Sequence, residues 1–481
     1  MNYHPTATAD QARQHPERIF QAGLALHHIA NTAYPIGHLT TMRPYRVITP
    51  EAQRLAPLAW QDSPRLGLYV HIPFCEQRCN YCEYCVVDPL QIATHEAAYF
   101  DALEREFDLY RRALGDSARE LTGFDIGGGT PSAAQTRNIA RVLDAARRCF
   151  DLPEAVRISI ETTPKIAAQQ PAKIRDYYDL GIRRISMGIQ TIHPRLLSEM
   201  GRDSTSLTFN RKAAEAVRAA GFERFNVDVM YGFANQSLQS LEATLRHAIS
   251  LQPEYVTLYR VRYKGTRIEA QAAGVTLAEV NEQAQLAKRM LLAAGYHGTP
   301  GKNTFSRLPG DPGTSDYLTG RVIAGTPYLG LGLGAQSLSE TTLAYNAGAA
   351  EKRLERYLRM VEAGQLPIQD LYHLSREAAV GKMVSVSFYF GEVNLDEFQR
   401  KFGVTFESMF LDEVAFVLER GYMEYRAEPG GRVLRLTEAG ELVYNGVIAL
   451  FYAGAVKSYL LGLFGWETAA LPVEAEHVSL R

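Results

Sequence analysis

Two patterns of apolar residues alternate along the middle of the chain. Short runs rich in β-branched and aromatic residues predict strands, and segments whose apolar residues recur every three or four positions predict amphipathic helices between them. Strands that alternate with helices in this way are typical of βαβ units in a parallel sheet, so the expected fold class is α/β. The expected strands are LGLYVHI (66–72), GFDIG (123–127), VRISIE (156–161), RRISMGIQ (183–190), FNVDVMYG (225–232) and YVTLYRV (255–261).

Polar or glycine-rich residues stand at the end of one expected strand after another. Parallel sheets gather their chemistry at the carboxyl ends of the strands, so these residues are expected to share one site in a barrel-like arrangement. They are Cys75 after the first strand, GGGTPS (127–132) after the second, Glu161 and Gln190 at the ends of the third and fourth, and Asp228 and Tyr231 near the end of the fifth.

The segments on either side of this core follow other patterns. Residues 1–60 are expected to form an irregular, partly helical N-terminal extension, and residues 61–340 hold the alternating core. From 341 to 481 the alternation weakens into helices, followed by a short strand, a turn and a helix. This order predicts a mainly helical, winged-helix-like C-terminal module that covers the substrate.

Composition indicates the cellular setting and argues against some partners. Of the 481 residues, 22% are charged and the formal net charge is −2, so no general positive field favours nucleic acid. No apolar run is long enough to cross a bilayer, and the N-terminal segment MNYHPTATADQARQHPERIF lacks the apolar core of a secretory signal. We expect a cytoplasmic protein without nucleic-acid or membrane partners, whose thiols stay reduced.

Four of the five cysteines stand within HIPFCEQRCNYCEYC (71–85). In a reducing compartment this clustering points to a metal before disulfides. A structural zinc site usually joins two Cys-x2-Cys pairs across a longer loop, whereas these four thiols share one short segment. The Cys-x3-Cys-x2-Cys spacing of Cys75, Cys79 and Cys82 favours an iron–sulfur cluster with three thiolate ligands and one open iron.

With this motif the chain resembles the radical S-adenosylmethionine (SAM) superfamily. YVHIPFCEQRCNYC is similar to the signature of the branch named for oxygen-independent coproporphyrinogen III dehydrogenase, which includes class C radical SAM methyltransferases. The resemblance covers about residues 65–340 and implies a partial (β/α)6 radical SAM barrel. Further segments match that branch in order: GGGTPS, ETTP (161–164), RRISMGIQT (183–191), NVDVMYG (226–232), LYRVRYKGT (258–266) and YLGLGLGAQS (328–337).

The resemblance also implies cofactors and the residues that hold them. Cys75, Cys79 and Cys82 would bind a [4Fe–4S] cluster, and its open iron would chelate SAM. Reductive cleavage of SAM then gives methionine and a 5′-deoxyadenosyl radical, with the electron supplied by a partner such as flavodoxin or ferredoxin. The residues expected to contact SAM are Tyr69, Gly128, Gly129, Thr130 and Glu161.

Members of this branch have room for a second SAM molecule. Gln190, Arg202 and Asp228 match positions that contribute there, and Arg202 can hold a carboxylate in bidentate fashion. A plain surface salt bridge is the alternative interpretation of Arg202. Cys85 has no place on the cluster, because a fourth protein ligand would block the chemistry. We expect Cys85 either beside the substrate, as a hydrogen donor or acid, or as a thiol without a role.

Three functions are compatible with this resemblance. The expected one is transfer of a SAM-derived one-carbon unit to an unsaturated or aromatic small molecule. The first alternative is porphyrin or porphyrinogen chemistry, either oxidative decarboxylation or haem ring opening. Decarboxylases usually carry a Cys-x-Cys end to the motif and a tyrosine–glutamate pair that residues 295–310 lack. The second alternative is a haem-chaperone-like binding protein, although those relatives are shorter and have phenylalanine where this chain has Glu83-Tyr84-Cys85.

Overall fold

The structure of the protein is a computed structural model that describes residues 15–48, 51–115 and 119–465. Its strands are β1 (Arg46–Val47), β2 (Arg65–Ile72), β3 (Glu120–Gly128), β4 (Ile158–Thr162), β5 (Ile182–Gln190), β6 (Arg224–Tyr231), β7 (Tyr255–Arg260), β8 (Thr304–Ser306), β9 (Tyr328–Leu331), β10 (Gln336–Leu338), β11 (Thr342–Asn346), β12 (Ile368–His373), β13 (Glu392–Asn394), β14 (Met423–Glu428) and β15 (Gly431–Leu436).

The α-helices follow the expected alternation in the core and dominate the C-terminal part. They are α1 (Pro16–Ala25), α2 (His38–Thr41), α3 (Glu51–Leu55), α4 (Ile92–Leu114), α5 (Thr136–Cys149), α6 (Pro164–Gln169), α7 (Pro171–Asp179), α8 (Pro194–Glu199), α9 (Leu207–Ala220), α10 (Leu238–Ser250), α11 (Leu277–Ala293), α12 (Asp316–Ala324), α13 (Leu354–Glu362), α14 (Arg376–Ser387), α15 (Leu395–Phe402), α16 (Phe406–Met409), α17 (Leu411–Glu419), α18 (Glu438–Leu442), α19 (Tyr444–Leu450) and α20 (Gly454–Leu463).

The six expected strands are present as β2 to β7. They lie side by side in sequence order, and each pair of neighbours is parallel. One or two helices follow each of these strands along the chain, as βαβ units require. The predicted α/β fold class is confirmed.

The two faces of these parallel strands differ in chemistry. Side chains alternate between the faces along a strand, and apolar residues such as Val70, Ile160 and Val227 are fully buried in the main core. The intervening positions carry polar residues that face a cavity inside the curved sheet. They are Asp125 on β3, Ser159 and Glu161 on β4, Arg184 and Ser186 on β5, Asn226 and Asp228 on β6, and Thr257 on β7.

The sheet continues beyond the predicted core on both sides. β8 pairs antiparallel with β7, and β9 pairs parallel with β2. β10, β11 and β12 then form an antiparallel meander, which β1 from the N-terminal extension completes. The boundary predicted near residue 340 falls inside this meander, between β10 and β11. Strands as short as three residues, such as β10, give too brief an apolar pattern to be recognised.

The N-terminal extension and the C-terminal part share a second hydrophobic core. Strands β13, β15 and β14 form a small antiparallel sheet packed with helices, which confirms the predicted helical character of this region. Helix α1 crosses α19 where glycines allow close approach: a Cβ on Gly23 would lie 2.5 Å from the carbonyl oxygen of Asn445, and one on Gly446 would lie 2.6 Å from the Phe20 ring. The described parts of the N-terminal extension and the C-terminal module thus pack against each other.

Over the described ranges, the helices include none that is long and apolar enough to span a bilayer.

Candidate active site

The cysteine loop follows β2 directly and is anchored at its centre by Asn80. The amide N–H of Asn80 donates to the carbonyl of Met200 (2.8 Å), and its side-chain Nδ2 donates to the carbonyl of Glu199 (2.9 Å). The carbonyl of Asn80 accepts from the Arg267 backbone N–H (3.0 Å). These bonds fix the loop against α8 and the segment after β7, so the thiols are held at the carboxyl edge of the sheet.

Close backbone packing brings Cys75 against the glycine-rich turn after β3. The Cys75 thiol is buried and hydrogen-bonded to the Thr130 hydroxyl (3.4 Å), and burial raises its pKa to about 12. A Cβ on Gly129 would lie 2.9 Å from the Cys75 sulfur and 2.7 Å from the carbonyl oxygen of Phe74. Glycine is therefore required at position 129 for this approach.

The cysteines open onto a cavity of about 220 Å³, which we call the cofactor pocket. Most of the residues predicted from the sequence meet there, although they come from six different strands and loops. The predicted residues that line it are Cys75, Cys79, Cys82, Gly128, Gly129, Thr130, Glu161, Gln190, Arg202 and Asp228. The expectation that strand ends share one site therefore agrees with the geometry.

Arg202 lies inside this pocket and not in a surface salt bridge. Its guanidinium donates to the Cys79 sulfur (3.4 Å), to the Tyr81 hydroxyl (3.1 Å) and to the carbonyl of Gly188. Its Nε is buried without a partner among the described residues. Gln190, in the left-handed region with φ of 67°, also buries its Oε1 without a partner there. A ligand with both a donor and an acceptor would satisfy these two groups.

Two carboxyl groups lie at the bottom of the pocket. Glu161 accepts a hydrogen bond from the Gly128 backbone N–H (3.3 Å), while burial, reinforced by the nearby Asp228 and Asp125, raises its pKa to about 8. Burial also raises the pKa of Asp228, against hydrogen bonds from Asn226 (2.7 Å) and Ser186 (3.1 Å). Such carboxyls can accept from an amine or a ribose hydroxyl of a bound ligand.

The structure separates Tyr69 and Cys85 from the cofactor pocket. Both line a larger cavity of about 550 Å³ inside the sheet, which we call the barrel cavity. The Tyr69 hydroxyl is 3.3 Å from His71 Nδ1, and its ring stacks on Tyr317. The Cys85 thiol donates to the carbonyl of Gly348 (3.2 Å). The barrel cavity adjoins the cofactor pocket, since both are bounded by Glu161 and Asp228.

A third space, the outer cavity, lies between the barrel, the N-terminal extension and the C-terminal module, with a volume of about 210 Å³. It meets the cofactor pocket at Tyr84, Tyr259, Arg260 and Arg262. The sequence alone did not indicate a role for these residues. The segment LYRVRYKGT contained three of them, and the alternation of Arg260 and Arg262 just past β7 was the available signal.

The donor set fits an iron–sulfur cluster with SAM. Three thiols open onto one pocket beside a glycine turn that leaves room for a ligand, with unpartnered polar atoms of Gln190 and Arg202 facing them. Among the described residues, no three His, Cys, Asp or Glu side chains converge on a single metal ion. A cluster does not need this convergence, because each thiolate ligates a different iron.

Comparison with known proteins also indicates a protein that binds an iron–sulfur cluster and SAM. The model of the radical SAM superfamily matches residues 69–248, from the end of β2 to helix α10. This segment of the chain is a radical SAM domain. Its fold therefore implies a [4Fe–4S] cluster and SAM, and the three thiols of the cofactor pocket are the ligands that fit the cluster.

Within the superfamily, the chain is similar to heme chaperones and oxygen-independent coproporphyrinogen III oxidases. It is 32% identical over 199 residues to the Heme chaperone HemW of Haemophilus influenzae, covering 41% of this chain and about half (51%) of that protein. It is 26% identical over 358 residues to the oxygen-independent coproporphyrinogen III oxidase of Cereibacter sphaeroides, covering 72% of this chain and 77% of that protein.

The same fold is seen in a solved structure. The coproporphyrinogen III oxidase (HemN) of Escherichia coli superposes with a TM-score of 0.70 at 22% identity, covering 89% of this chain and 98% of that one. This likeness extends through the N-terminal extension and the C-terminal module as well as the barrel. The predicted radical SAM barrel with a helical C-terminal region is confirmed.

Proposed function

We propose that the protein is a radical SAM enzyme that acts on a tetrapyrrole of the porphyrin or porphyrinogen class. The comparisons support this alternative better than the expected one-carbon transfer, because the relatives reported above are a heme chaperone and a coproporphyrinogen III oxidase. They give no support to methylation. The residues that line the cofactor pocket and the outer cavity support the same substrate class.

The observation that carries the proposal is the path from the cofactor pocket into the outer cavity. The path passes Tyr84 and Tyr259, whose rings border both spaces, and the outer cavity adds the rings of Tyr389 and Tyr444. Flat aromatic walls suit a flat conjugated ligand. Four cationic side chains and one carboxylate, Glu441, line the same cavity, so it favours an anionic ligand.

In this proposal, the residues of the chain position the reactants and exclude water. Cys75, Cys79 and Cys82 would hold the cluster, and bound together the cluster and SAM supply a radical that abstracts a hydrogen atom. Gly128 and Gly129 line the pocket without side chains and so leave room for SAM, and Glu161 would accept from its amine. Radical chemistry demands a site shielded from water, and the N-terminal extension with the C-terminal module encloses the outer cavity that adjoins the cofactor pocket.

We further propose a site for a second SAM molecule and a protein electron donor. The barrel cavity lies next to the cofactor pocket and is polar on several sides, so it has the chemistry to take a second SAM molecule. Asp228 lines both spaces, whereas Gln190 and Arg202 line the cofactor pocket. We propose that these three residues contact the second molecule from the cofactor-pocket side. A reduced flavodoxin or ferredoxin is the proposed source of the electron.

The test is an anaerobic assay of the reconstituted protein with SAM, dithionite and either coproporphyrinogen III or haem. We expect 5′-deoxyadenosine to form only when the tetrapyrrole is present, together with a tetrapyrrole product of altered mass. SAM labelled with deuterium in its methyl group is included, so that a transferred carbon is seen directly. A Cys79→Ala variant is the control for cluster-dependent turnover.

Each other outcome points to a different function. Stable haem binding without 5′-deoxyadenosine would favour a chaperone role, as in the first relative above. Label in a product would restore the methylation hypothesis. Formation of 5′-deoxyadenosine at a rate indifferent to either tetrapyrrole would contradict the proposed substrate class.

A further inference from the structure

Two cations in the outer cavity lack the carboxylate partners that cations in folded proteins usually have. The first is Arg260, at the end of β7. Its guanidinium donates to Asn445 Oδ1 (3.0 Å) and contacts His27 Nδ1. No carboxylate pairs with Arg260 within the described ranges. Burial lowers the pKa of the Arg260 guanidinium.

Asn445 fixes the direction in which Arg260 points. Its amide Nδ2 donates to the carbonyls of His27 (3.1 Å) and Ala30 (2.6 Å), so its Oδ1 is turned toward Arg260. The N-terminal extension, the barrel and the C-terminal module meet at this one side chain. Arg260 is therefore presented to the outer cavity in a defined orientation, and beyond Asn445 and His27 its guanidinium has no acceptor within the described ranges.

The second cation is Lys302, on the loop before β8. Its ammonium lies 4.6 Å from the centre of the Phe390 ring, and it has no ion pair in the parts of the chain that the structure describes. Burial lowers its pKa to about 8. A bound anion would offset this cost of burial.

The other two cations in the cavity are neutralised by the protein itself. Lys288 pairs with Glu441 (2.7 Å), and Arg262 pairs with Glu83. The difference matters because a buried cation without a counter-ion is costly. Within one cavity, two cations are satisfied internally and two are left for a ligand.

We propose that Lys302 and Arg260 bind carboxylate groups of the substrate and select substrates that carry them. The inference rests on the proposed function for the identity of the substrate, a porphyrin-class molecule with carboxylate side chains. Arg260 and Lys302 would hold its acidic edge in the outer cavity, and the body of the ring would extend past Tyr84 and Tyr259 toward the cofactor pocket. They are specificity-determining residues and do not take part in the radical step.

The experiment measures binding to the reconstituted full-length protein and does not depend on turnover. The probes are coproporphyrin III, which has free carboxylates, and its tetramethyl ester, followed by porphyrin fluorescence. We expect the free acid to bind more tightly than the ester, and the variant Lys302→Met to weaken binding of the acid by about 10-fold, the loss expected for one charged hydrogen bond. Lys302→Arg should restore most of the affinity.

Lys288→Met is the matched control, because it removes one positive charge from the same cavity at a site that is already paired. An equal loss of affinity in Lys288→Met and Lys302→Met would mean a general field effect and would overturn the inference. Equal affinity of the wild-type protein for acid and ester would overturn it as well. Circular dichroism and thermal unfolding confirm that each variant is folded.

A second probe, benzene-1,3,5-tricarboxylate measured by titration calorimetry, separates this inference from the proposed function. If it binds in a Lys302-dependent manner and no porphyrin binds, the carboxylate site is supported and the tetrapyrrole proposal fails. If porphyrins bind and depend on neither Lys302 nor their carboxylates, the tetrapyrrole proposal survives and the carboxylate site fails. If neither probe binds, both are overturned.

Discussion

Glu106 on α4 should make the stability of the barrel depend on pH near neutrality. It is fully buried and joins α4 to three later elements. Its carboxyl accepts hydrogen bonds from the Gly332 backbone N–H (2.9 Å), from Asn346 Nδ2 (2.7 Å) and from the Tyr357 hydroxyl (2.6 Å). These three donors favour the charged form, but burial outweighs them and raises the pKa from 4.5 to about 7.

The size and sign of the effect follow from that pKa. The folded protein binds this proton more tightly than the unfolded chain, so protonation stabilises the fold. The stabilisation is fully present below pH 4.5, the unfolded value, and is lost as the pH rises through about 7. At about 1.4 kcal/mol for each tenfold change in the proton affinity, the group contributes about 3 kcal/mol at low pH relative to high pH.

The assay is urea unfolding at a series of pH values between 5 and 8, followed by tryptophan fluorescence, to which Trp60 in the same core contributes. The comparison variant is Glu106→Gln, which keeps the shape and cannot ionise. We expect the unfolding free energy of the wild type, relative to that of the variant, to fall by about 2.5 kcal/mol as the pH rises from 5 to 8. Only the change of this difference with pH tests the reasoning, because the amide of the variant also alters the hydrogen bonds at every pH. Parallel pH profiles for the two proteins would refute the reasoning.

Three further predictions concern the cofactor pocket. Cys85→Ser should leave the iron content of the reconstituted protein unchanged, whereas Cys79→Ser should lower it; loss of iron in the first would place Cys85 on the cluster. Gly129→Ala should impair cluster incorporation, measured by absorbance, because its Cβ would meet the cysteine loop; Gly274→Ala, where a Cβ has open space, should not. Arg202→Lys should weaken SAM binding in equilibrium dialysis by about 10-fold, since lysine cannot make the three contacts of the guanidinium; unchanged affinity would exclude Arg202 from the site.

The sequence was most informative where chemistry and local structure coincide. Each of the six parallel strands has its own apolar run, and the residue at its carboxyl end lies at the shared edge by geometry alone. Glu161, Gln190 and Asp228 could therefore be brought together without knowing any long-range contact. The cysteine loop was equally accessible, because its three-ligand spacing is a local property.

Cys85 shows where local spacing stops being enough. It is as close in sequence to Cys82 as Cys82 is to Cys79, yet its side chain faces the barrel cavity. The chain has turned by then: Val87 N–H bonds back to the Pro73 carbonyl (2.8 Å), and His71 Nε2 lies 2.7 Å from the Cys85 carbonyl oxygen. This closure of the loop decides on which side of the strand the Cys85 thiol lies. The spacing of the cysteines in the sequence does not indicate this closure.

The outer cavity could not be predicted from the sequence, because its lining residues come from distant parts of the chain. His27, Arg260, Lys302 and Asn445 come from four separate parts of the chain, and each reads as an ordinary polar residue in its own neighbourhood. Their meeting depends on the packing of α1 against α19, which places the N-terminal extension beside the C-terminal module.

Cofactor binding and substrate specificity depend on different parts of this fold. The groups that fit the cluster and SAM lie on the parallel strands and the loops that directly follow them, where backbone hydrogen bonds to both neighbours hold them rigidly. Arg260 and Lys302 depend instead on Asn445 and on Phe390, residues of the C-terminal module. A change in that module can therefore alter the charge and shape presented to a substrate without moving the cysteines. We expect Asn445→Ala to weaken binding of coproporphyrin III through loss of the Arg260 orientation while leaving iron content intact, and loss of iron in that variant would show that the two regions are not independent.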